Sequence, residues 1–231
     1  MKIKTLIIFS ILFVGIGAIL FIRKNKPIDH LNEIIVTTNS PNHSVEDSIT
    51  YEDFLLEVKS KKQNFTNNNE AKKYLFEVFD NKIPEYWVGT KWDFNGTSRK
   101  PKEGTIACGY FVTNILSDLG FQIQRVQLAQ AVSSKMIKEL CIDIKRFGDF
   151  DKLKDYIKNQ PNHSIFIIGL DFHTGFVLKT DDKIYFLHSN YIDNQGVVKE
   201  EIENSKALKS SKSFMIGNLS ENEKLITKWI N

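Results

Sequence analysis

IFIIGLDFHTGFVLKTDDKIYFLHSN, residues 165–190, is the stretch whose reading decides the fold. Its apolar side chains fall into three short runs, Ile165 to Leu170, His173 to Leu178 and Ile184 to His188. All three are rich in β-branched and aromatic residues and are separated by turn formers such as the Asp181 and Asp182 pair. Three consecutive antiparallel strands are expected. Upstream, apolar residues recur at helical spacing in Tyr51 to Lys61 and Asn69 to Phe79, and a run of Asn precedes the second as a cap. Tyr86 to Phe94 is aromatic and broken by Gly89 and Gly96, which predicts an extended segment and a turn. Cys108 to Leu119 reads as a buried helix stopped by Gly120, and Phe121 to Val126 as a short strand. Helices follow at Ser133 to Leu140 and Asp149 to Lys158, and Pro161 ends the helical half. A last strand at Ser213 to Ile216 and a helix at Glu221 to Ile230 close the chain. Helices first and an antiparallel sheet afterwards predict an α+β domain over residues 49–231, not a parallel doubly wound sheet.

Residues 1–26, MKIKTLIIFSILFVGIGAILFIRKNK, carry an uncharged run from Thr5 to Ile22. At about 1.5 Å rise per residue such a helix approaches the roughly 30 Å hydrocarbon core of a bilayer. The run ends in Arg23 and Lys24 without a small-x-small exit site, which favours a membrane anchor over a cleaved signal. Without a cysteine at its end, lipid modification there is excluded. The polar, turn-rich residues 27–48, with His30 and His43, read as a tether, and the main domain is expected on the outer side of the cell membrane. Of 231 residues, 31 are Lys or Arg and 28 Asp or Glu, a formal charge of +3. Lys2, Lys4, Arg23, Lys24 and Lys26 more than account for that excess, so the domain is slightly acidic. A nucleic-acid partner, which needs a basic face, has no support.

With two cysteines, Cys108 and Cys141, a disulfide scaffold is excluded. Cys108 opens an apolar helix, where unpaired N–H groups and the helix dipole stabilise a thiolate and offer an oxyanion donor. Cysteine is equally a small apolar core residue, so this segment alone leaves both readings open. His173 begins one strand and His188 ends the next. Neighbouring strands lie about 4.8 Å apart, close enough for one imidazole to orient the other. Nucleophile, base and orienting group would then follow in chain order. Asn190, Asp181 and Asp182 compete with His188 for the third role. His163, beside Pro161, reads as solvent-facing. Cys141, ending MIKELC, reads as core. The set Cys108, Cys141, His173 and His188 lacks the paired short spacings of a zinc site, and no phosphate loop is present, so no metal or cofactor is expected.

ACGYFV around Cys108, HTGFVL at His173 and FLHSN at His188 together resemble the NlpC-type and CHAP-type bacterial cysteine peptidases and amidases. The resemblance covers roughly residues 86–191, with Ala107 and Gly109 standing where Asp and Ser are usual. It implies a papain-like fold in which the cysteine helix packs on an antiparallel sheet, with Cys108, His173 and His188 as a catalytic triad. Tyr86 is matched to a tyrosine that assists the oxyanion. Trp87, Trp92, Tyr110 and Tyr191 are expected along a substrate groove, with Asn190 beside it. Gln130 reads as a helix cap. The function expected is a membrane-anchored thiol hydrolase acting on a peptide-like amide, with cell-wall peptides of peptidoglycan as the substrate. A non-catalytic envelope binding or scaffold protein that keeps the fold is the alternative.

Overall fold

The computed structural model describes residues 49–231; the expected anchor and tether, with His30 and His43, lie outside the described residues. The sheet has six strands: β1 (Ile142–Phe147), β2 (Ser164–Gly169), β3 (Thr174–Lys179), β4 (Ile184–Asn190), β5 (Gly196–Glu201) and β6 (Phe214–Asn218). Their spatial order is β1-β6-β2-β3-β4-β5, and every neighbouring pair is antiparallel. The nine helices of the described residues are α1 (Tyr51–Lys62), α2 (Asn68–Glu77), α3 (Ile83–Trp87), α4 (Cys108–Asp118), α5 (Arg125–Ala129), α6 (Ser133–Leu140), α7 (Phe150–Lys158), α8 (Lys206–Ser210) and α9 (Glu223–Ile230). The chain is thus α+β. Among the described residues no helix is long and apolar enough to cross a membrane.

Burial explains the near-continuous apolar runs of the central strands. On β2, Ile165 and Ile167 enter one core with Phe111 and Ile115 of α4, while Phe166 and Ile168 enter a second core with Leu153 and Ile157 of α7 and Leu208 of α8. A strand covered by helices on both faces has no polar face to alternate with. Phe176 of β3 meets the edges of Phe79 (4.7 Å) and Phe111 (6.2 Å), which seats α4 on the sheet.

Local signals account for the helix ends. Thr50, Asn67 and Asp149 accept hydrogen bonds from N–H groups in the first turns of α1, α2 and α7. Gly120, at φ 90°, terminates α4, with Phe121 N–H returning to Leu116 O at 2.9 Å.

Two expectations are corrected, and two strands are new. Tyr86 to Phe94 is not extended from its start: a π-helical turn (Val78–Lys82) feeds α3, where Pro84 presets the first turn and Ile83 and Trp87 bury on one side. Phe121 to Val126 forms no strand; residues 121–124 are irregular and Arg125 already belongs to α5. Strands β1 and β5 were not expected. Both are outer strands carrying charged residues, IDIKRF and GVVKEE, which hides them from an apolar count while protecting the sheet edges.

Candidate active site

Cys108 is the first residue of α4, and the preceding Ala107 offers no side chain to cap the helix. The first-turn N–H groups are therefore left to other acceptors. The loop leading in is tied down by Ile106 N–H to Lys91 O (2.9 Å), Ala107 N–H to Gly96 O (2.9 Å) and Ser189 Oγ to Ile106 O (2.7 Å). This last bond anchors the cysteine's approach to β4. On the other side Gly109 packs so closely on the Ala129 carbonyl that a Cβ would collide with it, which fixes α5 against the start of α4.

His173 ends the tight turn Leu170 to His173 between β2 and β3, closed by Leu170 N–H to His173 O at 2.8 Å. Asp171 in this turn accepts Lys212 N–H (2.8 Å) and Ser213 Oγ–H (2.5 Å), which pins it to the lead-in of β6. His173 Nε2 lies 2.7 Å from His188 Nδ1, and His188 Nε2 lies 3.0 Å from Glu200 Oε1 on β5. The strand register builds this line. Phe176 pairs with Leu187 and Phe186 with Glu200, so His173, His188 and Glu200 share one face and step diagonally over three strands. His188 is fully buried and stacks on Phe186 at 3.9 Å. Room for it comes from Gly175, where a Cβ would stand 2.7 Å from His188 Cβ.

Donor and acceptor counting assigns the protons along this line. The Glu200 carboxylate only accepts, so His188 Nε2 carries a proton. Neutral His188 then accepts at Nδ1 from His173 Nε2–H. His173 Nδ1 is left as the ring nitrogen with a lone pair. Electrostatics agree with a neutral pair of imidazoles. Burial, and then His188, hold His173 well below the ordinary 6.5. Burial also holds His188 below that value, against the pull of Glu200. Burial pushes Glu200 up, but hydrogen bonds from His188 and Ser205 outweigh it and leave the carboxyl below its ordinary 4.5. Burial raises the Cys108 thiol, opposed by N–H groups of Thr174, Gly109 and Cys108 aimed at sulfur. Among the described residues no hydrogen bond joins Cys108 Sγ to His173.

Cys108 and His173 line one cavity of about 640 Å³, together with Trp92, Tyr110, Gln130 and Tyr191 among others. Tyr191 packs its ring against His173 at 5.2 Å, and Gln130 Nε2 donates to Tyr110 Oη at 3.0 Å. Gln130 follows α5 and is not a cap at a helix start. Tyr86 and Trp87 lie outside this cavity. Tyr86 donates to Ile49 O and stacks on Phe54 at 5.3 Å, while Trp87 is wholly buried in the core. Asn190 bonds Gln195 (2.7 Å) and accepts Ile192 N–H (2.9 Å), shaping the turn into β5. Asp181 and Asp182 sit in the β3–β4 turn at the far end of β3 from His173, beside Lys158 and Lys183. His163 lies on the surface 3.3 Å from Asp181. Cys141 is buried, unpaired and pushed up to about 12 by that burial. Among the described residues no group of three His, Cys, Asp or Glu is arranged to hold a metal. Glu200 was missed by sequence reasoning; alternation in VVKEEIEN was the available signal, hidden by its run of charges. No family model, curated protein or solved structure matches this chain.

Proposed function

We propose that this chain is a thiol hydrolase of papain-like architecture that cleaves peptide-like amide bonds, held at a membrane by residues 1–26 with its domain on the outer side. One observation carries the reading: the line His173, His188, Glu200, with distances of 2.7 and 3.0 Å, runs into a cavity that also holds the helix-opening Cys108. In the first step Cys108 gives its proton to His173 Nδ1 while Sγ bonds the amide carbonyl carbon, and backbone N–H groups at the start of α4 hold the oxyanion. Collapse of the tetrahedral adduct breaks the C–N bond, and the leaving nitrogen takes the proton from His173. Water, deprotonated by His173, then opens the thioester, freeing the acid and restoring the thiol. His188 fixes the His173 tautomer throughout.

A second reading, a non-catalytic envelope protein, is favoured by the raised thiol and the missing Cys108 to His173 hydrogen bond. Iodoacetamide labelling of the folded chain at neutral pH separates the two. The hydrolase reading expects Cys108 to react and Cys141 to react only after unfolding. It also expects His173→Ala to slow Cys108 labelling, and Cys108→Ala to abolish hydrolysis of a peptide. Labelling of Cys108 that is as slow as that of Cys141 and indifferent to His173→Ala overturns it.

A further inference from the structure

The cavity at Cys108 is uncharged. Although 26% of the chain is Asp, Glu, Lys or Arg, none of these is among the described residues that line it. Its walls are aromatic, with Phe94 and Phe172 showing 79% and 93% of their surface to solvent. Two phenylalanines this exposed beside one nucleophile gain nothing for folding, and exposed apolar patches of this kind are where partners bind. Asn95, Thr97 and Gln130 supply neutral hydrogen-bonding groups that suit peptide amides.

The space continues past the sulfur. A smaller cleft of about 240 Å³ shares Cys108, His173 and Phe172 and runs on along Val132 and Met136. The one acidic or basic residue lining it among the described residues is Asp171, whose two oxygens are taken by Lys212 N–H and Ser213 Oγ–H. A ligand spanning both clefts is a chain extending in both directions from the bond at Cys108.

Resting on the hydrolase reading, we propose that the substrate is a peptide segment with a large apolar or aromatic side chain beside Phe94 and Phe172 and no charged side chain in the larger cleft. A charged side chain entering the larger cleft loses water and meets no counter-charge, and an acidic one in the smaller cleft also faces the Asp171 carboxylate, whereas an apolar side chain covers exposed rings. Acidic cell-wall peptides are disfavoured by the same argument.

Binding is measured by calorimetry with the full chain carrying Cys108→Ala, which keeps the clefts and removes the chemistry. The probes are an end-capped peptide of Phe, Leu, Gly and Ala, its counterparts with Glu or Lys replacing Phe, and a straight-chain fatty acyl amide. The neutral peptide is expected to bind at least about 30-fold more tightly than either charged one, the cost of an unpaired buried charge. Phe94→Ala and Phe172→Ala, both at exposed positions, are expected to reduce that preference about fivefold each. Equal affinities, tighter binding of a charged peptide, tighter binding of the acyl amide, or no binding of the neutral peptide overturns the inference. Binding as expected, with no cleavage of the neutral peptide by the chain that retains Cys108, supports the ligand class and overturns the hydrolase reading instead.

Discussion

Glu200 touches neither the thiol nor the cavity, yet it sets the proton on His188 and, through it, the lone pair on His173. On the proposed mechanism it is a positioning residue, and its charge would favour the imidazolium formed if His173 takes the thiol proton. Replacing Glu200 by Gln keeps an acceptor oxygen and removes the charge. We expect kcat/KM for peptide hydrolysis to fall about 10- to 100-fold and its acid limb to move to lower pH, because His188 loses the carboxylate that raises it and the paired His173 loses the charge behind it. A pH profile that falls without moving that limb would mean Glu200 only packs. The triad candidates were legible because Cys108, His173 and His188 each sit at the end of an apolar run, where a polar side chain is out of pattern. Glu200 sits in VVKEEIEN, where one more carboxylate is unremarkable, and only register reveals it. Tyr86 and Trp87 show the opposite limit: an aromatic residue's type does not tell groove from core.

Strand pairing decides whether the site exists at all. Gly175 leaves the gap that His188 fills, and an added Cβ would meet His188 Cβ and Phe186 Cε2 at 2.7 Å and Leu187 O at 3.0 Å. The backbone oxygen cannot swing aside, so β3 and β4 must separate. Gly175→Ala is expected to cost about 1–3 kcal/mol in urea unfolding and to break the link between the two histidines, reducing hydrolysis. Gly148→Ala is the control. Its Cβ would meet Lys212 O at 3.9 Å, an ordinary contact, and the change should stay within about 0.5 kcal/mol. The central strands and α4 were readable because both faces are apolar and the period is unambiguous. The outer strands β1 and β5 were not, since an edge strand trades apolar side chains for charge.

Across the whole domain, the two buried imidazoles set how the protein meets acid. Both have folded values below the ordinary 6.5, so between that value and their lower folded ones the unfolded chain binds protons that the folded chain refuses. Their contribution to stability is therefore flat above about pH 6.5 and falls as pH drops below it, by up to about 1.4 kcal/mol per pH unit for each histidine. Glu200, depressed from 4.5, adds a loss at lower pH as it becomes protonated. Urea unfolding from pH 8 to pH 5 should show the decline, and His188→Gln should make it shallower; a decline of unchanged slope would place its origin elsewhere. The α+β class was open to sequence reasoning because helical and extended patterns occupy separate halves of the chain. The cavity was not, since residues from Trp92 to Tyr191 meet there only through the fold.

The charge-free mouth of that cavity also governs arrival. With no acidic or basic side chain among its described lining residues, the cleft has no charge of its own with which to draw a ligand in or turn it on approach. For the proposed peptide ligand, contact would then begin on the exposed rings of Phe94 and Phe172, and its rate would follow how much ligand is nearby more than the ionic strength around it.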